Sequence, residues 1–276
     1  MTDRPQPQDR PDPQDRKGRK DRPAHTATVR SKEVLSPHLI RVAVHSEAVS
    51  SGEVAPNDCT DVYLKLALPD ADGDPVLRTY TIRNWRVEAG EFDLDMVVHG
   101  DEGLAGPWAR NVQVGETVTF RGPGGGYAPP TGDVTHLLVG DLSALPAIEA
   151  ALEVLPAGAN GQVVVVVEDE ADVRPLPGPL PVEWIVDPDL VRGYARATEY
   201  VVQWQALGPI APFVHGEAGF VRGLRRHLRV DRGLSAKEMS ISGYWKFGLD
   251  DAGWRQDKRA WLQPVDEQEA ALAEGQ

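Results

Sequence analysis

The feature that most constrains the fold of this chain is a change in the spacing of apolar residues near Thr131. Before that point, short segments alternate apolar and polar residues and are separated by turn pairs such as Asp72-Gly73. After it, a continuous valine run, QVVVVVED at 162–169, stands between segments with helical periodicity. Period-two alternation is typical of antiparallel strands, whereas continuous apolar runs among helices are typical of parallel strands covered on both faces. The sequence therefore predicts two domains of different class.

These two patterns of apolar spacing predict a two-domain β + α/β protein. We expect residues 25–130 to form an antiparallel six-stranded β-barrel, and residues 131–250 an α/β domain with a parallel sheet. Residues 2–23 repeat Pro, Gln, Asp and Arg without an aliphatic side chain, so a disordered tail is predicted over 1–24. A helical tail is predicted over 251–276. A barrel followed by an α/β domain is the arrangement that a flavin reductase needs, although fold alone supports this only by analogy.

Composition argues against several classes of function. The formal net charge of -13 disfavours non-specific nucleic-acid binding, which needs a basic face. The single cysteine, Cys59, cannot form an internal disulfide, and neither a CxxC nor an HExxH pattern occurs, so no structural metal is expected. No apolar run has membrane length and none follows the N-terminal charges, so we expect a cytoplasmic protein without a membrane partner. No self-complementary apolar stripe stands out, which favours a monomer.

The segment RTYTIR combines an arginine, an aromatic ring and a hydroxyl on one predicted strand. Alternation places Arg78, Tyr80 and Ile82 on one face, and Thr81 and Arg83 on the other. An arginine fork suits a phosphate, a tyrosine offers a flat face to an aromatic ring, and a hydroxyl can contact a ring nitrogen. Together these groups fit a flavin nucleotide. An ordinary exposed strand, with its arginine paired to a carboxylate and its tyrosine at a domain boundary, explains the pattern equally well.

A second candidate is the segment HGDEGLAGPWARN, which begins at His99. Gly103, Ala105 and Gly106 precede Trp108 and a predicted helix. Small residues let a backbone approach a phosphate closely, and a helix N-terminus offers N–H donors, so the segment could hold a pyrophosphate. A glycine-rich turn with Trp108 in the core, and His99 as a structural histidine, is the simpler interpretation of the segment taken alone.

Five segments, in their order and spacing, resemble the siderophore-interacting protein family of flavin-dependent ferric-siderophore reductases. They are RTYTIR, VVHGDEGLAGPWA, GDLSALPAIEAAL, HGEAGFVRGLRRHL and SGYWKFG, and the resemblance extends over residues 25–250. Each segment is weak by itself, but five in register make the set fairly specific. Plant-type ferredoxin reductases share the flavin strand, yet they carry a glycine-rich nicotinamide loop and a Cys-Gly pair where this chain has GDLSALP and GEAG.

The resemblance implies an FAD cofactor held mainly by the barrel. Arg78 would meet the phosphates, Tyr80 would stack on the isoalloxazine and Thr81 would contact its polar edge. The other residues expected at the cofactor are Ile82, Arg83, His99, Gly103, Ala105, Gly106 and Trp108.

The resemblance also assigns the second domain to binding NADH or NADPH, or to shaping the place where a donor such as a ferredoxin docks. Asp141, Ser143 and Ala144 follow a predicted strand, at the end where α/β sheets place ligands. Gly216 and Glu217 follow another strand and complete the expected nicotinamide site. No GxGxxG fingerprint occurs.

Two acidic residues, Glu168 and Asp169, end the valine run. Acidic groups at this place favour a ribose hydroxyl over an additional phosphate, which gives a weak preference for NADH. Simple solvation of a strand end is the more ordinary explanation of the same two residues.

Ferric siderophores are often anionic, so an acidic protein must concentrate positive charge locally to bind them. By register with the family, Lys65 and Lys246 match two basic residues near the flavin. A third basic residue usually stands in a GPRG turn, but this chain has GPGGG, with Gly124 at that position. Arg121, just before the turn, could substitute for it. Otherwise the pocket loses a charge and the preferred siderophore is less anionic.

Two aromatic residues near the C-terminal end, Tyr244 and Trp245, have two interpretations. They cover the flavin or line the mouth of the substrate site, or they anchor the C-terminal segment to the core. Trp245 is therefore included among the expected substrate-binding residues.

The predicted activity is FAD-dependent reduction of a ferric siderophore, with electrons from NAD(P)H or a ferredoxin and release of Fe(II). No catalytic side chain is required, because the flavin carries the chemistry. Two other classes fit the same residues: a general flavin reductase that serves a protein acceptor, and a flavin- or siderophore-binding protein without catalytic activity.

Overall fold

The computed structural model describes residues 23–100, 103–249, 253–254 and 257, so the two predicted tails lie almost wholly outside the described residues. Six antiparallel strands come first. They are β1 (Ala24–Ser36), β2 (Leu39–His45), β3 (Tyr63–Pro69), β4 (Pro75–Arg86), β5 (Glu91–Val97) and β6 (Thr117–Gly124). They close into a barrel in the order β1-β2-β5-β4-β3-β6. Two short helices, α1 (Glu47–Ser50) and α2 (Ala105–Asn111), lie in the connections.

The second part is an α/β domain. Its strands are β7 (Thr135–Asp141), β8 (Asn160–Val167), β9 (Val182–Val186), β10 (Ile210–Glu217) and β11 (Ser240–Trp245), and its helices are α3 (Leu145–Val154), α4 (Leu190–Gln203) and α5 (Ala218–Arg226). The sheet order is β11-β10-β7-β8-β9, and every neighbouring pair is parallel. The predicted fold class, an antiparallel six-stranded barrel followed by an α/β domain with a parallel sheet, is confirmed.

The burial of side chains explains the two patterns of apolar spacing in the sequence. In β3, Leu64, Leu66 and Leu68 are at most 1% exposed and fill the barrel, while the residues between them are half-buried on its outer face. In β8, by contrast, all of residues 163–167 are buried. Alternate valines of this run belong to two different core clusters, one with α3 and one with α4 and α5. A strand covered by helices on both sides has no polar face to alternate with.

Two elements of the sheet domain were not predicted. Helix α4 begins after Asp189, whose carboxylate accepts hydrogen bonds from the backbone N–H groups of Val191 and Arg192. Strand β11 pairs in parallel with β10 and carries the aromatic residues Tyr244 and Trp245. The second of the two interpretations of this aromatic segment, an anchor to the core, is the one that the pairing supports.

Polar and charged side chains join the barrel to the sheet domain. Arg83 of β4 donates to both carboxylate oxygens of Glu153 in α3, at 3.0 and 2.7 Å, and its Nε lies 3.6 Å from Glu149. His38, in the turn between β1 and β2, lies 2.7 Å from the buried carboxylate of Asp172. Within the part of the chain that the structure describes, no helix combines the length and apolarity of a membrane span.

Candidate functional site

Two of the predicted substrate residues lie directly opposite each other on the outer face of the barrel. In the antiparallel pairing of β3 with β6, Lys65 faces Arg121, and in the pairing of β3 with β4 it faces Thr79. On its far side Arg121 faces Ala24 of β1. This cross-strand row therefore contains two cations and no acid, and both cations are half-buried. We call Lys65 and Arg121 the basic pair.

The predicted flavin strand, β4, runs beside the basic pair. Arg78 and Tyr80 lie opposite Leu66 and Leu64 of β3 and so project to the same face as these core leucines. Both are half-buried, and Tyr80 packs against the edge of the barrel core. Thr81 is on the opposite face, 8% exposed and directly across from Tyr63. The expected alternation on this strand is confirmed as far as Ile82, which is buried in the barrel core.

Arg83 stands apart from its neighbours on this strand. Its guanidinium is 5% exposed and is engaged by Glu149 and Glu153 of α3. These contacts give Arg83 a structural role at the domain junction, and its contact with a flavin stays a prediction.

The second predicted flavin segment opens helix α2. Gly103 has a φ of 79°, and among the described residues no atom other than those of its chain neighbours lies within 4 Å of the point where a Cβ would be. Ala105 is buried in the barrel core and Trp108 packs against it, as in the simpler of the two interpretations of this segment. Gly106 lies over the backbone of Val98. His99 is exposed on the preceding connection.

In the second domain, Asp141 is the centre of a hydrogen-bond hub. One carboxylate oxygen accepts from the backbone N–H and the hydroxyl of Ser143, at 2.9 and 2.5 Å. The other accepts at 2.9 Å from the Tyr194 hydroxyl, the Glu217 backbone N–H and the Trp245 indole N–H. Asp141 is 4% exposed, so five donors satisfy a buried carboxylate and tie α4, β10 and β11 to the end of β7.

The other predicted nicotinamide residues surround this hub. Gly216 has a φ of 134°, and a Cβ there would lie 2.6 Å from the carboxylate of Asp141. Glu217 caps α5 by accepting from the backbone N–H of Phe220 at 2.8 Å. Ala144 is fully buried. The structure thus brings the five predicted residues together, with Asp141 and Glu217 already engaged by protein donors.

Electrostatic effects at the hub fall mainly on a neighbouring tyrosine. Burial, followed by the charge of and hydrogen bond to Asp141, raises the pKa of Tyr194 far above its usual value. The same surroundings thus favour the protonated phenol, which donates its hydrogen bond to Asp141.

A column of aromatic rings crosses from the barrel to the sheet. Tyr127 stacks obliquely on Phe213 with ring centroids 4.7 Å apart, Phe213 lies flat on His215 at 3.8 Å, and His215 meets Tyr244 edge-on at 4.9 Å. Burial, then the charge of Asp61, raises the pKa of both tyrosine hydroxyls, and Asp141 and Tyr63 add to the effect at Tyr244. Through Phe213 and His215, the column thus links Tyr244 of β11 to Tyr127.

The glycine turn after β6 is held by an acid that sequence reasoning missed. Asp61 accepts hydrogen bonds from the backbone N–H groups of Gly126 and Tyr127, both at 2.8 Å. Tyr63, two residues later, was also missed, and it lies across from both Thr81 and Gly124. The available signal was strand alternation, because Tyr63 shares a face with Lys65.

The third predicted cation, Lys246, follows β11 in the other domain. Its side chain is 40% exposed, and its ammonium lies 4.0 Å from the carboxylate of Asp257. Trp245, beside it, donates to Asp141 and is thereby anchored to the hub. Among the described residues, no group of three His, Cys, Asp or Glu side chains could hold a metal ion.

Comparisons with known proteins agree with this architecture. Residues 134–248 match the family model described as siderophore-interacting protein, and residues 69–127 match that of the siderophore-interacting FAD-binding domain. A protein of Mycobacterium tuberculosis described as uncharacterized is 36% identical over 272 residues, covering 86% of this chain and 95% of its own. The ferric vibriobactin reductase ViuB of Vibrio cholerae is 31% identical over 249 residues, covering 82% and 91%.

Among solved structures, the siderophore-interacting protein SipS from Aeromonas hydrophila superimposes with a TM-score of 0.76 at 29% identity. The superposition covers 88% of this chain and 99% of SipS. The similarity therefore extends over both domains.

Proposed function

The chain belongs to the siderophore-interacting protein family, and from this premise we propose that it is an FAD-dependent reductase that transfers electrons from NAD(P)H or a ferredoxin to a ferric siderophore. The product is Fe(II), which leaves the chelate because a softer ion of lower charge binds hard oxygen ligands less well. ViuB, whose name describes a ferric siderophore reductase, is the relative that supports the reductase assignment.

The residues present fit an FAD. Arg78 and Tyr80 are half-buried at the edge of the barrel core, where a guanidinium can bind phosphate and a ring can stack on the isoalloxazine. Gly103, at a φ of 79°, has no side chain to hinder the approach of a phosphate to its backbone. When bound, FAD supplies both hydride acceptance and one-electron donation, which no side chain of this protein provides.

The protein's own part is to bind and orient. Arg78 would hold the phosphates, Tyr80 and Thr81 would fix the ring, and the basic pair would raise the local concentration of an anionic chelate beside it. The observation that carries the proposal is the position of the basic pair: Lys65 of β3, the strand next to β4, faces Arg121 of β6 on the same side of the sheet as Thr81, in a protein of net charge -13.

For the electron donor we propose NADH, docked against the surface that the Asp141 hub orders. The basis is the acidic end of β8, where Glu168 and Asp169 would discriminate against a 2′-phosphate. Asp169 already accepts a hydrogen bond from the backbone N–H of Ala171, so Glu168 is the acid expected to face the ribose. Comparing kcat/KM for NADH and NADPH, in the wild type and in Glu168→Gln, tests this assignment.

The central test is anaerobic stopped-flow absorbance. FAD-loaded protein is reduced stoichiometrically and mixed with a ferric siderophore and an Fe(II) trap. We expect flavin reoxidation matched by trapped Fe(II). Arg78→Ala should lose FAD on gel filtration, and Lys237→Ala, an exposed lysine away from the site, should behave as wild type. A flavin that stays reduced with every class of chelate would refute the siderophore assignment and favour a protein acceptor.

A further inference from the structure

Tyr63 and Gly124 face each other across β3 and β6 at unusually close range. A Cβ added to Gly124 would lie 2.5 Å from Cζ of Tyr63, 2.7 Å from its hydroxyl oxygen and 2.9 Å from Cε2. Non-bonded carbon atoms do not approach so closely, because their optimal separation is about 3.5–4 Å. The phenol ring therefore occupies the space that any side chain at position 124 would need.

The ring has informative neighbours on the outer face of the barrel. Lys65 lies two residues further along β3, which places it about 7 Å away on the same face. Thr81 of β4, the residue assigned to the polar edge of the flavin, lies directly opposite Tyr63. The ring therefore stands beside the basic pair and next to the proposed flavin position, where a chelate must approach to receive electrons.

We propose that Tyr63, seated on the bare backbone of Gly124, selects ferric chelates whose iron-binding arms are aromatic over chelates whose arms are aliphatic. The inference rests on the proposed function and specifies the substrate class of that site. A flat arm such as a catecholate can stack on or meet the edge of the phenol ring, while its ring oxygens and overall negative charge face Lys65 and Arg121.

The geometry also explains why an aromatic ring is found at this place and a basic side chain at position 124 is not. A basic side chain at position 124 cannot coexist with the observed position of the Tyr63 ring, so the two recognition modes exclude each other at this place. The Asp61 carboxylate, which accepts hydrogen bonds from the backbone N–H groups of Gly126 and Tyr127, adds a negative charge to the same glycine turn. Charge alone is therefore a weaker criterion at this end of the site than it is at the basic pair.

The test separates ring contact from charge by using two matched probes. Gallium(III) tris(catecholate) and gallium(III) tris(oxalate) are both trianions with six oxygen ligands, and only the first has aromatic arms. Gallium(III) is not reduced under these conditions, so isothermal titration calorimetry on the FAD-loaded protein measures binding without turnover. We expect the wild type to bind the catecholate about fivefold more tightly than the oxalate.

Three variants locate the source of that preference. Tyr63→Leu should remove the preference by weakening catecholate binding alone, whereas Tyr63→Phe should retain it. Gly124→Ala should also remove it, because the new methyl group displaces the ring, and it should have no further effect in the Tyr63→Leu background. Lys65→Gln is the charge control and should weaken both complexes by the same factor.

A catecholate-to-oxalate ratio that is unchanged in Tyr63→Leu, or a wild type that shows no preference, overturns the inference. The same holds if Gly124→Ala and Tyr63→Leu act additively. Stopped-flow reduction of the corresponding ferric complexes tests the reductase function separately from the role of Tyr63. If the wild type yields Fe(II) but its catecholate-to-oxalate affinity ratio does not depend on Tyr63, only the role of Tyr63 is refuted. A wild type that yields no Fe(II) from any chelate refutes the proposed function.

Discussion

Two regions on the outer face of the same barrel differ in how their strands pair charged residues. On β2 and β5, register places Arg41 opposite Asp95, and the pair forms two hydrogen bonds of 2.6 and 2.7 Å. On β3 and β6, register places Lys65 opposite Arg121. Opposite charges across strands stabilise a sheet, whereas like charges directly opposite destabilise it.

The difference indicates that the Arg41–Asp95 pair stabilises the fold, whereas we assign the basic pair to a ligand. The Asp95 side chain is fully buried and needs a partner, and Arg41 supplies it at 2.6 Å. The hydrogen bond to Asp95 is the main reason that the pKa of Arg41 is raised, so this guanidinium stays charged. In the row of Lys65 and Arg121 the register instead brings two cations together, and the anionic ligand that we propose beside the flavin strand accounts for that placement.

The largest effect is expected from breaking the matched pair. Asp95→Ala leaves the Arg41 guanidinium partly buried without its main partner, and we expect a loss of about 3 kcal/mol in the free energy of unfolding. Urea denaturation followed by circular dichroism measures it. Glu116→Ala, which removes an exposed acid just before β6, is the control and should cost less than about 0.5 kcal/mol. Equal losses in the two variants would contradict the structural role of the Arg41–Asp95 pair.

An intermediate effect, on activity rather than stability, is expected from the basic pair. Lys65→Gln removes one of the two opposed cations, so the free energy of unfolding should stay within about 0.5 kcal/mol of wild type or rise slightly. The kcat/KM for a trianionic ferric chelate should fall about tenfold, and its dependence on ionic strength should weaken. A variant that loses stability but keeps its kcat/KM would reverse our assignment of the two regions.

The smallest effect concerns a matched cluster at the protein surface. Hydrogen bonds from Arg192, and then from the Asp189 backbone N–H and Arg196, lower the pKa of Asp187 to about 2 from an ordinary 3.8. A carboxyl group with a depressed pKa contributes stability that is present above its unfolded pKa and is lost as the pH falls through the folded pKa.

Asp187→Asn removes that contribution, so the wild type should exceed the variant in urea midpoint at pH 5, and the difference should shrink as the pH falls from about 4 to about 2. Because the Arg192 and Arg196 side chains are 61% and 50% exposed, solvent screening keeps the difference small. A difference that grows on acidification would show that the sign of the coupling is wrong.

Local pattern was sufficient for most of the fold. The alternation in β3 and the valine run of β8 predicted the class of each domain, because a strand with one solvated face and a strand covered on both faces have different side-chain periods. Helix α4 was missed although Asp189 is an ordinary N-cap, and β11 was not recognised as a fifth parallel strand because its partner precedes it by a helix and a long turn.

The candidate site was predicted less completely. Lys65, Arg121 and the flavin strand were identified singly, and Asp141, Gly216, Glu217 and Trp245 were assigned to two different ligands rather than to one hub. The hub is formed by residues as much as 104 positions apart in the chain. No periodicity within a segment carries information about a contact of that separation.

The sequence by itself determined the two domain classes, the positions of most strands and the candidate residue types, because these follow from local periodicity and from the chemistry of single side chains. Only the tertiary structure decided that Lys65 faces Arg121, that the Tyr63 ring fills the space beside Gly124, and that Trp245 serves Asp141. Each of these depends on strand register or on close packing between distant segments. A shift of register by one residue would reverse the face of every side chain on a strand, and nothing within that strand reveals its partner's register.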